Sequence, residues 1–349
     1  MTSRERILAA LALQPTDTVP VFPRDLTLGM DLCSYTTPEV CNVNGNYDAK
    51  KSAQSILALQ AYAGHDAVVG SIHDLGLEAD SFGGMTGFPE YGSPSVITPP
   101  IQNLDDLNTA RSTLDGTHGR WPGYIEAHRI VNEAIGDSVA IAANIEGPVT
   151  KACLIRGMDA IALDMYDDPG FASEIIDFAT DLIILRINML AEAGAHFVFL
   201  ASACDDPGVI GPDNFRKYSI HPLRRIVEAA DKHGLPTIYH PHGRFTCQEA
   251  SMLMEEIIAT GVNGFQFAEC NDLGAAKKQW GDRICILGGL DVVEDLLLGP
   301  EEYIECATRA CLDKVGVDGF ILMASCSLHR GMAPEYLRAM VHAAHSYRQ

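Results

Sequence analysis

Short apolar runs recur along the chain, separated by longer amphipathic stretches. Val19-Pro20-Val21-Phe22 is the first run, followed by a helical pattern over about 49–63 and by Ala67-Val68-Val69-Gly70. A second helical pattern, near 123–136, leads into Val139-Ala140-Ile141-Ala142-Ala143-Asn144, whose unbroken apolarity is that of a strand buried on both faces. Two short helices and a long one, about 170–193, come next, and then further apolar runs at 197–201, 237–239, 264–267, 285–288 and 320–324. Helical sequence separates these runs, with Gly or Asn near the helix ends as stop signals. Eight strands, each followed by helical sequence, predict a parallel sheet closed into a (β/α)8 TIM barrel. The expected organisation is one barrel domain over residues 1–349 with an N-terminal extension. A doubly wound open sheet would carry a glycine-rich phosphate loop after its first strand, and Phe22-Pro23-Arg24-Asp25 is not one. The Gly- and Pro-rich stretch 74–116 is expected to be a long irregular loop after strand two, serving as a lid or partner contact.

Composition narrows the function classes. A hydrophobic fraction of 47% supports a large core and excludes a disordered chain. The net charge of −21 argues against nucleic acid, which needs clustered Lys and Arg, and against an anionic membrane surface. No uncharged apolar run approaches a membrane span, and the N-terminus lacks the pattern of a signal peptide. Ten cysteines without a CxxC pair exclude a zinc ribbon and a thioredoxin-like motif, and point to reduced thiols in the cytoplasm.

The candidate chemistry centres on Thr237-Ile238-Tyr239-His240-Pro241-His242-Gly243. In an extended segment residues two apart share a face, so both imidazoles leave on one side where the strand ends. Pro241 cannot donate to a ladder and biases His240 towards an extended backbone. Two such imidazoles serve as metal ligands or as an acid/base pair; a hydrogen-bonded pair in a wet pocket is the plain alternative. Metal-dependent hydrolase barrels also carry an HxH pair, but on their first strand. Barrel active sites form at the C-terminal strand ends. Read in order, those ends are Arg24 and Asp25, then His73 and Asp74 with Glu78, then Asn144 and Glu146. Cys204-Asp205-Asp206, the two histidines, Glu269-Cys270, Asp291 and Ser325-Cys326-Ser327 complete the series. His240, His242 and Cys326 offer two nitrogens and one sulfur, and three ligands with one open position is the pattern of a catalytic zinc. Cys204, Cys270, Asp205 and Glu269 are substitutes at neighbouring ends.

Asn144-Ile145-Glu146-Gly147-Pro148-Val149-Thr150, Arg156-Gly157-Met158 and Tyr166-Asp167-Asp168-Pro169 resemble the uroporphyrinogen decarboxylase superfamily. More closely, the chain resembles its branch of methylcobalamin:coenzyme M methyltransferases and related corrinoid-dependent methyltransferases. Gly288-Gly289-Leu290-Asp291 and Met332-Ala333-Pro334-Glu335-Tyr336-Leu337 also fit, so the resemblance runs through nearly the whole chain. It implies a cytoplasmic, zinc-dependent methyltransferase of one-carbon metabolism. The methyl group would pass from methylcobalamin or another corrinoid to a small-molecule acceptor such as coenzyme M or tetrahydrofolate. The corrinoid would arrive on a partner protein, since no Asp-x-His-x-x-Gly segment is present; a homodimer is left open. In that branch a His-x-Cys pair and a distant Cys hold the zinc, corresponding to His240, His242 and Cys326. Histidine in the middle position makes the set one charge less negative and harder. The reading further implies catalytic or orienting roles for Asp74, Glu78, Glu146 and Glu269, and cofactor-facing positions for Asn144, Cys204, Asp205 and Asp291. The runner-up is a uroporphyrinogen decarboxylase-type decarboxylase, but the arginine-rich stretch those enzymes use against a polyanion is replaced here by a single Arg24 beside Asp25. A non-catalytic corrinoid- or tetrapyrrole-binding protein is the third reading.

Overall fold

The computed structural model describes residues 1–114 and 117–347. Nine strands are found among them: β1 Ala67–Val69, β2 Met85–Gly87, β3 Ser95–Thr98, β4 Ala140–Glu146, β5 Phe197–Ser202, β6 Thr237–Pro241, β7 Gly264–Gln266, β8 Cys285–Leu290 and β9 Phe320–Ala324. Seven form a parallel sheet in the order β1-β4-β5-β6-β7-β8-β9, and β2 and β3 form a separate antiparallel hairpin. Parallel neighbours need crossovers, supplied by helices such as Trp121–Ile135, Pro169–Glu192, His221–Asp231 and Glu301–Val315. No helix among the described residues is long and apolar enough to cross a membrane.

The ring closes through the segment expected as the first strand. Val19–Phe22 is not a regular strand but a single bridge, Val21 to Leu322. Pro20 and Pro23 have no N–H to give to a ladder, which limits the pairing. The available groups are nevertheless used. Leu322 N–H donates to Pro20 O at 2.9 Å and Phe22 N–H to Leu322 O at 3.0 Å, while Asp66 N–H donates to Val21 O at 2.9 Å. Val21 therefore spans the gap between β9 and β1, and the parallel barrel is complete.

Register then builds the mouth. Every residue of β4, β5 and β6 is buried. Asn144 pairs with Phe199 and Phe199 with Ile238; one layer up, Glu146 pairs with Ala201 and Ala201 with His240. Phe22 packs edge-on against Phe197 and Phe199, filling the barrel floor beneath that layer.

The described part of the expected irregular loop, 74–114, departs from that reading; 115 and 116 lie outside the described residues. It carries a helix at Leu77–Ser81, the β2–β3 hairpin and a helix at Leu104–Ser112. Its Gly and Pro residues punctuate short elements; Gly84, for example, sits where a Cβ would come within 2.6 Å of Thr98 O. The helix Leu77–Ser81 buries Glu78 beneath the mouth.

Candidate metal centre

His240 lies on β6, buried, and His242 follows just beyond the strand end. Pro241 is the last strand residue, and the backbone turns at Gly243 with φ +116°, where a side chain would meet Asp206 Oδ1 at 2.7 Å. Cys326 sits in the turn after β9. Ser325 N–H donates to Leu290 O at 2.7 Å, and the Ser325 hydroxyl accepts from Val292 N–H at 3.1 Å, fixing that turn. One metal-capable atom from each of His240, His242 and Cys326 lies within 4.8 Å of the others. His242 Nε2 faces Cys326 Sγ at 3.9 Å.

Three observations fit this trio to a metal. His240 Nδ1 contacts Gln266 O at 3.2 Å. Since a carbonyl can only accept, Nδ1 carries the proton and Nε2 presents a lone pair. That Nε2 is buried and has no hydrogen-bond partner, a costly condition that an ion would relieve. Burial pushes the Cys326 thiol up, but the two facing imidazoles and the Arg24 charge bring it down to about 3, so sulfur stands ready as a thiolate. A tetrahedral zinc places nitrogen and sulfur ligands about 3.5 Å apart, so only a small contraction is needed. No fourth His, Cys, Asp or Glu joins the cluster among the described residues, which leaves one position for a ligand from outside.

Arg24 stands beside this centre because Leu328 N–H donates to Arg24 O at 3.2 Å, tying its segment to the turn that carries Cys326. Its φ is +44°, an uncommon conformation for a non-glycine residue. The guanidinium lies 4.9 Å from the centroid of Phe199, and Nε donates to Asn144 Oδ1 at 3.0 Å. Among the described residues no carboxylate pairs with this buried cation. Asn144 Nδ2 donates to His73 Nδ1 at 2.9 Å, which leaves the proton on His73 Nε2, 3.1 Å from Glu146 Oε1. His329, its Nε2 3.0 Å from Ser327 Oγ, completes the polar groups near Cys326.

On the opposite side of the mouth the charges are matched. Lys151 is buried between Glu146 and Glu78, and Arg186 Nη2 lies 3.1 Å from Glu78 Oε2 while stacking on Trp121. Burial would raise the Glu146 carboxyl, but Lys151 and His73 hold it far below the usual range. Asp74 is ion-paired with Arg120, which also reaches Asp80 at 2.9 Å.

A family model described as "Uroporphyrinogen decarboxylase (URO-D)" matches residues 2–347. The chain belongs to that family. It is 28% identical to a methylated-thiol--coenzyme M methyltransferase of Methanosarcina mazei over 98% of this chain and 89% of the relative. It is equally 28% identical to the methylcobamide:CoM methyltransferase MtbA of the same organism, over 99% of this chain and 98% of the relative. A uroporphyrinogen decarboxylase of Syntrophotalea carbinolica is 25% identical over 70% of this chain and 69% of the relative. Among solved structures, a methyltransferase from Methanosarcina mazei superposes with a TM-score of 0.82 at 24% identity, covering 99% of this chain and 98% of the other. The barrel is thus the family's fold, and the chain is an enzyme; relatives matched over nearly its whole length include these methyltransferases and, at 23% identity, a uroporphyrinogen decarboxylase of Azoarcus sp..

The residues expected at the mouth separate into groups. His240, His242 and Cys326 converge. Asn144 and Glu146 lie near them, linked through His73 and Arg24. Asp74 and Glu78 are committed to Arg120, Lys151 and Arg186, and touch neither histidine. Asp205 is buried and caps the helix Pro148–Arg156, accepting from Thr150 N–H and its hydroxyl, both at 3.1 Å; burial pushes its carboxyl up to about 6. Cys204 starts that same turn, its N–H donating to Thr150 Oγ1 at 2.9 Å. Asp291 accepts from Val293 and Glu294 N–H and closes a turn after β8. Glu269 is exposed at the rim. The group that orients His240 is the backbone carbonyl of Gln266. Gln266, Lys151, Arg120 and Arg186 carry no motif signal, because their pairings join residues far apart in sequence.

Proposed function

We propose that the chain is a zinc-dependent methyltransferase that moves a methyl group from a methylated corrinoid, carried on a partner protein, to a thiol acceptor. Coenzyme M is the acceptor named for the relatives; tetrahydrofolate is a non-thiol alternative. The observation that carries this reading is the convergence of His240, His242 and Cys326 with the lone pair of His240 Nε2 unused. These three residues would hold the zinc. When bound there, zinc supplies the activation of a thiol as thiolate near pH 7 without a separate base.

The chain's own residues do the rest. Gln266 O holds the His240 proton on Nδ1 and keeps Nε2 facing inward. Phe22 and Phe199 floor the site with apolar surface and limit water beneath the reacting sulfur. Arg24, buried and without a carboxylate partner, draws the negative charge of the acceptor towards Cys326. A single cation of this kind suits one anionic group on a small molecule; a porphyrinogen bearing many carboxylates would leave most of them unmatched, which favours methyl transfer over decarboxylation.

The test is metal analysis of the purified protein together with demethylation of methylcobalamin by a thiol. His240→Ala and Cys326→Ala are expected to lose the zinc and to slow the reaction by about 100-fold or more. Wild-type rates in both variants would refute the reading, and turnover of uroporphyrinogen would replace it.

A further inference from the structure

Strand β6 is tied to β7 at both ends by an asparagine, each half-buried and 26 residues beyond a residue it holds. At the N-terminal end Thr237 N–H donates to Asn263 Oδ1 at 2.8 Å. At the C-terminal end the tie is Asn271, just before the helix Leu273–Trp280. Its Oδ1 accepts from Phe245 N–H at 2.7 Å and from Thr246 N–H at 3.1 Å. Its Nδ2 donates to Gly243 O at 3.0 Å and to Ala268 O at 3.1 Å. A carboxamide has two N–H donors and two acceptor sites, and here all four are spent on backbone. Three of the four hold residues 243–246, the loop that starts directly after His242. The sheet stops short of that loop. The β6–β7 ladder pairs only Ile238 with Gly264 and Tyr239 with Phe265, and the β5–β6 ladder ends at Pro241. His242 is therefore past the last paired residue on both sides. Asp272 N–H to Thr246 Oγ1 at 3.1 Å and the Cys270 thiol to Gly243 O at 3.3 Å add to the tie. Phe245 itself is buried against Phe215 and Phe265, so the loop keeps a side-chain anchor without the amide.

We propose that Asn271 is a positioning residue of the metal centre, holding the backbone after His242 so that this imidazole stays within reach of His240 and Cys326. Asn263, the same residue type on the same pair of strands, serves the fold. The difference lies in what each amide touches. Asn263 closes a strand start at the end of the barrel where stability is built, and Asn271 fixes a loop at the end where sites are built. Groups that orient a metal ligand without touching the ion govern how tightly it is held. This role rests on the reading of His240, His242 and Cys326 as a metal site.

The experiment compares the full-length wild type with Asn271→Ala, Asn271→Asp and Asn263→Ala. Each is titrated with zinc against a competing chelator and, separately, loaded with cobalt(II), whose visible spectrum reports ligand number and geometry. Hydrogen exchange over residues 243–248 is followed in the metal-free proteins. Asn271→Ala is expected to bind zinc about tenfold or more weakly, to alter the cobalt spectrum and to exchange faster over 243–248. Asn271→Asp keeps both acceptors and loses both donors, and should move all three readouts in the same direction. It carries the test if the alanine variant does not fold. Asn263→Ala should unfold at a lower denaturant concentration yet keep the zinc affinity and the cobalt spectrum of the wild type. Wild-type affinity and spectrum in the Asn271 variants overturn the assignment, as does an equal loss of affinity in Asn263→Ala. A wild type that takes up neither ion refutes the metal reading and this role with it, so the wild-type titration tells the two failures apart.

Discussion

The two sides of the barrel mouth handle buried polar groups in opposite ways. Around β1, β4 and their helices, Arg120, Lys151 and Arg186 face Asp74, Glu78 and Glu146, and each charge finds its opposite. Around β6 and β9, His240 keeps a lone pair with no partner, the Cys326 thiol is lowered only by the facing imidazoles and the Arg24 charge, and among the described residues Arg24 has no carboxylate. Buried polar groups are costly unless paired. The matched side is therefore internally complete, and the unmatched side is complete only with something from outside. Substitutions on the two sides should separate stability from ligand binding.

The largest effect is expected on the matched side. Lys151→Met leaves Glu78 and Glu146 together in the core with one cation fewer, and should cost about 3–5 kcal/mol in denaturant unfolding. Zinc bound per folded chain should be unchanged. A loss of zinc alongside the loss of stability would show that the two sides act as one unit.

The reverse is expected of Cys326→Ala. Zinc and demethylation are lost, about 100-fold or more in rate, while the metal-free protein loses less stability than Lys151→Met does. The thiolate held by the facing imidazoles and the Arg24 charge contributes to folding at neutral pH, so its removal costs the metal-free protein some stability, and the larger loss appears in zinc, where only the wild type gains the binding free energy. Equal destabilisation of the metal-free and zinc-bound forms would make Cys326 structural and sink the comparison.

How much of this was readable beforehand follows from the same contrast. The trio was legible because strand geometry ties spacing to direction: His240 and His242 two apart on one strand, Cys326 at the end of another. The seven sheet strands were legible as apolar runs for a similar reason. The ionic side was not, because Lys151 to Glu78 or Arg120 to Asp74 is a pairing between distant helices and loops that no local period encodes. Two expectations failed on backbone chemistry. Val19–Phe22 shrank to a bridge because Pro20 and the following Pro23 cannot donate, and 74–114 is ordered because its glycines and prolines mark turns between short elements.

His128 tests whether an unpaired buried histidine is enough to signal a ligand. Both of its ring nitrogens lack partners, and it packs so closely on Gly70 that a side chain there would overlap the ring. Among the described residues it belongs to no metal-capable cluster of three, and burial pushes its pKa down to about 3. With the folded value below the unfolded one of about 6.5, the unfolded chain binds more protons between pH 3 and 6.5. Stability from this residue is therefore present above pH 6.5 and is lost as pH falls through that window, by about 2 kcal/mol at pH 5. His128→Leu should remove that loss while zinc binding and activity stay intact, and its advantage over the wild type should grow as pH falls. The buried His65 and the half-buried His196 are lowered to about 4 and act in the same direction in both proteins. A constant advantage at all pH values would show that His128 does not titrate on unfolding.

The smallest effect falls at Gln266, where the unmatched side meets its support. Its backbone carbonyl sets the His240 proton, and its side-chain Nε2 donates to Ala324 O at 2.8 Å, two residues before Cys326. One residue thus spaces two of the three ligands, although its own Oε1 is buried and unpaired. Gln266→Leu keeps the carbonyl, removes the bridge to β9 and also removes the unpaired oxygen. The two changes offset in stability, leaving a cost of about 1 kcal/mol or less. Zinc affinity should fall further than stability does, by about tenfold, because the turn bearing Cys326 can drift from the imidazoles. Titration with a competing chelator separates the outcomes. Unchanged affinity would mean that the Ser325 contacts to Leu290 and Val292 fix the turn alone, and that the spacing of the trio is built into β9 rather than bridged across from β7.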